Sequence, residues 1–370
     1  METGESSSNR VLFLDYLRVV ACFMVMAIHA AENYYLGGES PNVTYIATCL
    51  DAVSVTVTEC LCRVCVPLFV IASSYLLFPV TCTTGKFFKR RLARIAIPFA
   101  VWAVAYVIAA GGDLRRLFFN FPDEGGHLWF VPMLAGLYLV MPLFSPWAQK
   151  VGKRELQGWI LLWFFTTTFP FLRRLWGCMF GVPPFGAVEY LFGECPWNSF
   201  GAFHYVSGFF GYMLLGLWFQ KFHIPSGWDR TIALALPLGL IGAAIIGVPF
   251  FNYAEKFPFS APYSVAVRME MSIEYNSVGV VLATIAAFLV LRKFDFGGTV
   301  YRLVVRPVSE ASYGMYLMHM FLLPVFFCKL NPVLPTPLCI IATALVTYVA
   351  CAVLSVAVRK IPIAGRLICG

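Results

Sequence analysis

Long apolar runs, separated by short polar or basic stretches, recur along the whole chain. In ten places the run reaches roughly 18 residues, enough for a helix to cross a hydrocarbon core of about 30 Å. These runs lie near residues 11–32, 52–80, 95–111, 128–146, 156–172, 202–220, 231–251, 275–292, 310–328 and 336–358. Several contain Pro or Gly, which membrane bundles tolerate where neighbouring helices satisfy the freed backbone groups. No fixed period repeats and no low-complexity linker divides the chain. The pattern predicts an all-α integral membrane protein, a single polytopic bundle of about ten transmembrane helices, with residues 1–370 forming one domain.

Composition agrees with the pattern. Hydrophobic residues make up 60% of the chain, 35 residues are Phe, and only 12% are charged, against about 25% in soluble domains. The net charge of +8 therefore reads as membrane topology and lipid contact, and nucleic acid is not an expected partner. Arg10 is the one basic residue before the first run, and no convincing cleavage site follows, so this run reads as a retained helix and not a signal peptide. Counted by loop, 18 of the 27 Lys and Arg fall on the side that also holds both termini, among them the run Lys86, Lys89, Arg90, Arg91 and Arg94. Seven fall on the other side, and Arg18 and Arg63 lie within runs. By the positive-inside rule both termini face the cytoplasm, in the cell (inner) membrane.

The twelve cysteines do not form a secreted disulfide framework. Cys22, Cys339 and Cys351 sit in apolar runs, where cysteine behaves as a small hydrophobe. Cys60, Cys62 and Cys65 are close in sequence, but a closed zinc site needs four ligands and no fourth is adjacent, so no metal is expected. Cys178 and Cys195 share one outer loop and would form a disulfide in an oxidising compartment. Asn42-Val43-Thr44 is a glycosylation sequon in a eukaryotic host.

The chemistry is concentrated in the first run, "DYLRVVACFMVMAIHA", residues 15–30. Arg18 and His29 lie eleven positions apart, a spacing that turns a helix about 20° past three full turns and rises about 16 Å. The two side chains therefore share one stripe at different depths. Asp15 is placed to pair with Arg18 at the i, i+3 spacing, which leaves His29 unexplained. Ionisable residues within membrane helices face a bundle interior or a wet cavity and are functional candidates by default. A neutral imidazole there can act as a general base on a hydroxyl, and Arg18, always charged, can hold an anion or a polarised carbonyl. The chain lacks a Gly-x-Ser-x-Gly elbow, a phosphate-cradling Gly-rich loop and a His-Glu-x-x-His site.

The stretch "LDYLRVVACFMVMAIHA" resembles the first helix of the membrane-bound acyltransferase 3 family, whose pattern is Arg, ten residues, then His. The likeness continues in order through "RVCVPLFVIASSYLLF" (63–78), "KFFKRRLARIAIPF" (86–99), "HLWFVPMLAGLYLVMPL" (127–143) and "SEASYGMYLMHMFLL" (309–323). The resemblance implies an O-acyltransferase that moves acetyl from acetyl-CoA to hydroxyls of glycans or lipid-linked sugars. Carried over by position, it makes His29 the catalytic base and Arg18 its partner. Arg91 and Arg94 match an Arg-x-x-Arg element on the cytoplasmic side. Two departures stand out. Ser73-Ser74 replaces the frequent Ser-Gly. An acidic residue that follows a Trp-Ser-Leu motif in one family branch has no match at Leu128-Trp129-Phe130. The chain resembles instead the compact branch without an appended soluble domain.

The remaining ionisable residues read less sharply. Glu59 and Arg63, four apart, neutralise each other. His319, with Tyr313 and Tyr316, either bonds a neighbouring helix or meets substrate, and His319 and Tyr316 are the candidate acceptor contacts. His127 beside Trp129 reads as an interfacial anchor. His204 is similarly placed, and His223 lies in a cytoplasmic loop. The run that includes Arg90, Arg91 and Arg94 either binds coenzyme phosphates or sets topology and touches lipid. A secondary transporter or a non-enzymatic assembly subunit are the rival readings, although the paired broken helices and internal repeats common in transporters are missing from the sequence.

Overall fold

A computed structural model describes residues 10–35, 46–118, 123–180, 206–222, 224, 227–254 and 273–370. Among these residues the chain is helical and has no strand. Seven helical stretches are long and apolar enough to cross a membrane: Leu12–Glu32, Cys49–Leu77, Thr84–Ala109, Gly125–Lys150, Trp228–Asn252, Tyr301–Leu330 and Thr336–Arg359. Each of the ten expected runs coincides with a helix, but three of them, at 156–172, 202–220 and 275–292, are not among these seven spans. The helices in the runs at 202–220 and 275–292 are Phe210–Lys221 and Val278–Leu291, 12 and 14 residues long. At 1.5 Å per residue they rise about 18 and 21 Å, short of the hydrocarbon thickness. The count of about ten is thus approximate.

We label the α-helices in order as α1 (Leu12–Glu32), α2 (Cys49–Cys62), α3 (Cys65–Leu77), α4 (Thr84–Ala109), α5 (Phe130–Lys150) and α6 (Lys153–Phe180). There follow α7 (Phe210–Lys221), α8 (Trp228–Ala254), α9 (Val278–Leu291), α10 (Arg306–Leu330), α11 (Thr336–Arg359) and α12 (Pro362–Ile368). The expected span 52–80 is interrupted: α2 stops at Cys62, Arg63 caps it, and α3 begins at Cys65. Pro67 explains the break. It has no N–H for the Arg63 carbonyl, and its ring crowds that carbonyl. The start of α2 is fixed by a capping box, in which Asp51 N–H donates to Thr48 Oγ1 (3.2 Å) and Thr48 N–H to Asp51 Oδ2 (2.9 Å). The same Asp51 accepts from the Thr336 hydroxyl at 2.5 Å, tying α2 to the start of α11.

The first helix is the axis of the bundle. It packs against α2, α3, α10 and α11, and Leu17, Ala21, Cys22, Met26, Ala30 and Ala31 along it are buried. Outer helices show the reverse: Ile232, Leu236 and Leu240 on α8, and Ile341, Leu345, Val349 and Val353 on α11, are exposed at four-residue intervals. Such apolar stripes face lipid. Helices approach closely where side chains are small. At Gly211 on α7 an added Cβ would fall 1.8 Å from the Trp163 ring, so only glycine lets that indole lie against the helix and donate to the Gly208 carbonyl at 2.8 Å.

Candidate active site

Two polar clusters lie along α1, at opposite ends of its buried face. The first gathers on Asp15, which is buried. Its carboxylate accepts from Arg10 Nε (2.6 Å) and Nη2 (3.1 Å), from the Tyr301 hydroxyl (2.6 Å) and from the Ser309 hydroxyl (2.7 Å). Arg18 approaches the same carboxylate at 3.5 Å. The expected Asp15–Arg18 pair therefore forms, but as the weakest link in a cluster dominated by Arg10. This carboxylate holds the Arg10 guanidinium above its ordinary range. Arg10 also donates to Glu310 at 2.8 Å, clasping the chain ahead of α1 to α10.

A cavity of about 580 Å³ opens beside this cluster. Arg10, Arg18, Arg91, Arg94 and Arg359 line it, with Asp15 and Glu310 as its carboxylates. Five cations against two anions make its mouth strongly positive. Deeper in, the lining turns apolar and aromatic with Val25, Phe69, Phe130, Leu134, Tyr138 and Tyr316. Arg90 is not part of this lining: it is exposed, about 100° around α4 from Arg91. Arg359 was not marked by sequence, since it lies at the far end of the chain and reaches the mouth only through the packing of α11.

The second cluster begins one helical turn beyond Val25, at His29. Its Nδ1 lies 2.5 Å from Glu32 Oε2. A carboxylate only accepts, so in the neutral imidazole the proton of this bond sits on Nδ1 and Nε2 carries the lone pair. Glu32 in turn meets Arg63 Nη1 at 3.5 Å, and Arg63 meets Glu59 Oε2 at 3.4 Å. Arg63 is held by its Nε bond to the Ile273 carbonyl (2.8 Å) and lies 4.5 Å over the Tyr275 ring. Tyr35 donates to Glu59 Oε1 at 2.8 Å. Burial, with Glu59 alongside, keeps the Tyr35 phenol protonated far above its ordinary range. The break between α2 and α3 is what lets Arg63 leave its own helix axis and reach across to α1.

Two further imidazoles close on His29. The ring of His319 lies 5.0 Å from that of His29, and His127 lies 5.0 Å from His319 and 6.4 Å from His29. His319 is fully buried, and its Nδ1 is 2.6 Å from the Tyr316 carbonyl of its own helix, so its Nε2 also carries a lone pair. The Nε2 atoms of His127 and His319 have no protein partner among the described residues. Buried polar atoms without partners are rare in folded proteins and call for an explanation. Tyr316 binds this group together, donating its hydroxyl to the His127 carbonyl while its ring faces Phe130 at 5.6 Å. His127 is thus no interfacial anchor. It is buried within the 3₁₀ turn Asp123–Trp129, because the Tyr316 hydroxyl draws that turn inward.

Other expectations resolve differently. Glu59 and Arg63 do pair, but as part of a larger chain that includes Glu32. His319 bonds its own helix and not a neighbouring one. Ser74, in place of the frequent Gly, donates to the Met213 carbonyl at 2.6 Å and joins α3 to α7. Among the described residues no group of three or more His, Cys, Asp and Glu is arranged to hold a metal ion. His204, His223, Cys195 and Asn42-Val43-Thr44 lie outside the described residues, as does the side chain of Cys178. Glu32 was legible in principle, as an acid three residues after a histidine in an apolar helix. His127 was not.

A family model described as an acyltransferase domain matches residues 11–356 of the chain. No curated protein and no solved structure matches it.

Proposed function

The chain belongs to the acyltransferase 3 family of membrane proteins, matched over residues 11–356, and on that premise we propose that it is an O-acetyltransferase taking acetyl from acetyl-CoA to a hydroxyl of a glycan or lipid-linked sugar. The observation that carries this reading is the 2.5 Å bond from His29 Nδ1 to Glu32. It leaves a basic Nε2 just beyond the inner end of an arginine-mouthed cavity. In this reading the basic end faces the cytoplasm of the cell, with both termini there, and the donor enters by it. Arg18, Arg91, Arg94 and Arg359 hold its phosphates, since charge-assisted bonds to phosphate are the stronger kind. Arg90, exposed and outside the cavity, serves topology or lipid contact instead.

The acceptor hydroxyl reaches the histidine cluster from the opposite side. His29 Nε2 takes its proton as the oxygen bonds to the acyl carbonyl carbon. The carbon–sulfur bond then breaks, and the departing thiolate receives the proton from His29. His319, sealed from solvent behind His29, shapes the acceptor side of the cluster, and Tyr316 forms the wall between donor and acceptor. Orienting both reactants in this way removes a large part of the barrier.

The test uses the purified full-length protein with labelled acetyl-CoA, read as acetyl release or transfer. Wild type turns over, and His29→Ala inserts normally but loses turnover. Near-normal turnover in His29→Ala removes His29 from the mechanism. Mass spectrometry of surface glycans from cells with and without the protein identifies the acceptor.

A further inference from the structure

We propose that Glu59, acting through Arg63 and Glu32, sets the proton affinity of His29: these four side chains form a largely buried ion quartet that, with both carboxylates ionised, balances electrically only when His29 is charged. The inference rests on the reading of His29 as the base and assigns the residues behind it. The chain of contacts is continuous, from His29 to Glu32 at 2.5 Å, Glu32 to Arg63 at 3.5 Å and Arg63 to Glu59 at 3.4 Å. Glu59 is fully buried and Arg63 nearly so.

Arg63 needs one carboxylate for neutrality, yet two meet the same Nη1. With His29 neutral, two ionised carboxylates and one guanidinium leave a net charge of −1. A lone excess charge in a low-dielectric interior is costly unless it is paired. Protonation of His29 brings the sum to zero. The step that loads the proton, attack of the hydroxyl, is therefore the step this surrounding favours. A carboxylate bonded to the far nitrogen of an imidazole is a known way to stabilise the imidazolium as it forms. Here a second carboxylate stands behind the first.

Other groups face the quartet without changing this sum. His127 and His319 face His29, each with an unpartnered Nε2. Tyr35, Cys60, Cys62 and Cys65 adjoin Glu59. Tyr275 lies against Arg63. The imidazoles, thiols and phenols are neutral as placed. Tyr35 donates to Glu59 and so supports its charged form. Glu59 and Arg63 are positioning residues, since neither touches the reacting atoms.

The sign of the effect is fixed. Transfer needs neutral His29, so activity rises with pH through the His29 pKa. Glu59→Gln keeps the size of the side chain and deletes one negative charge, its amide oxygen facing Arg63 and its amide NH2 facing the Tyr35 hydroxyl, which can accept. The imidazolium loses support, so the rising limb moves to lower pH, by about one pH unit. The plateau rate falls because a weaker base removes the proton, while the donor KM is unchanged. The decisive readout does not need activity. Diethylpyrocarbonate modifies neutral imidazole, and His29 is reachable at 19% exposure whereas His319 is sealed. Mass spectrometry of the His29 peptide against pH therefore gives its midpoint directly in the full-length protein. A lower midpoint in Glu59→Gln supports the proposal. An unchanged midpoint, in a variant with wild-type thermal unfolding, overturns it. Tyr35→Phe deletes one donor to Glu59, shifts the midpoint the same way by less, and replaces Glu59→Gln if that variant does not fold. A wild type that transfers no acyl group sinks the acyltransferase reading, and the His29 midpoint still decides the fate of the quartet.

Discussion

Arg18 and Lys carry the same charge, but their heads differ. Arg18 reaches Asp15 at 3.5 Å while lining the cavity, a double duty suited to a planar fork with several donors. Arg18→Lys is expected to insert normally and lose donor affinity about tenfold, measured by acetyl-CoA titration. Full affinity would reduce Arg18 to a bare charge. Arg91 and Arg94 also line the cavity, and the double change to Gln should weaken donor binding tenfold or more, since each charged contact contributes about 1.5–3 kcal/mol. Lys86 and Lys89 remain to hold the loop in place. Unchanged affinity would mean that these arginines set orientation and the donor site lies elsewhere. Arg18 and His29 were legible because one helix carries both, and helical spacing is readable from the chain. Arg359, His127 and His319 come to the same place from distant helices. Nothing in the spacing of one segment announces which other segment it meets.

Among the helices, α8 and α9 make the most intimate pair. A Cβ at Gly242 would lie 2.7 Å from the Gly279 carbonyl oxygen and 2.8 Å from the Ala283 nitrogen. Both are backbone atoms and cannot rotate aside. Gly242→Ala should therefore destabilise the protein by about 1–3 kcal/mol, seen as a lower thermal midpoint in detergent. Gly239→Ala, whose added Cβ meets only the Ala286 methyl at an ordinary 3.5 Å, should leave that midpoint unchanged. Equal effects at the two glycines would mean that the pair is not packed this closely. Hydropathy located α1 to α11 because lipid imposes one apolar requirement on all of them; the short amphipathic α12 lay beyond its last run. It did not see the stop at Cys62, for the residues on both sides are equally apolar. Pro67 was visible in the sequence, but proline is common in membrane helices and several here, such as Pro98 within α4, leave the helix unbroken. What distinguishes Pro67 is the arginine four residues before it, which has a partner on α1 to reach.

At the scale of the molecule, the charge asymmetry and the cavity point the same way. The residues that crowd the cavity mouth belong to the basic end of the bundle. Reporter fusions within 86–94 are expected on the cytoplasmic side and those within 36–48 outside. The reverse result would leave the donor no route to the arginines. The helical membrane architecture was legible as a whole, since apolar runs of crossing length recur along the sequence. The number of complete crossings was not, because α7 and α9 are largely apolar and yet short, and α6 is long but carries charged residues toward both ends.

The apolar inner lining of the cavity has a consequence for the membrane itself. Titratable groups stand at both ends of α1, from Asp15 to Glu59, and a file of water joining them would let protons run through the protein. Val25, Phe130 and Leu134 lie in the cavity wall on the way to His29, and His29 itself is outside that wall. A dewetted apolar constriction blocks such a file. In the proposed reaction the residues that would guide a thioester toward His29 would thus also insulate the bilayer, so that chemistry at its centre need not discharge the gradient across it.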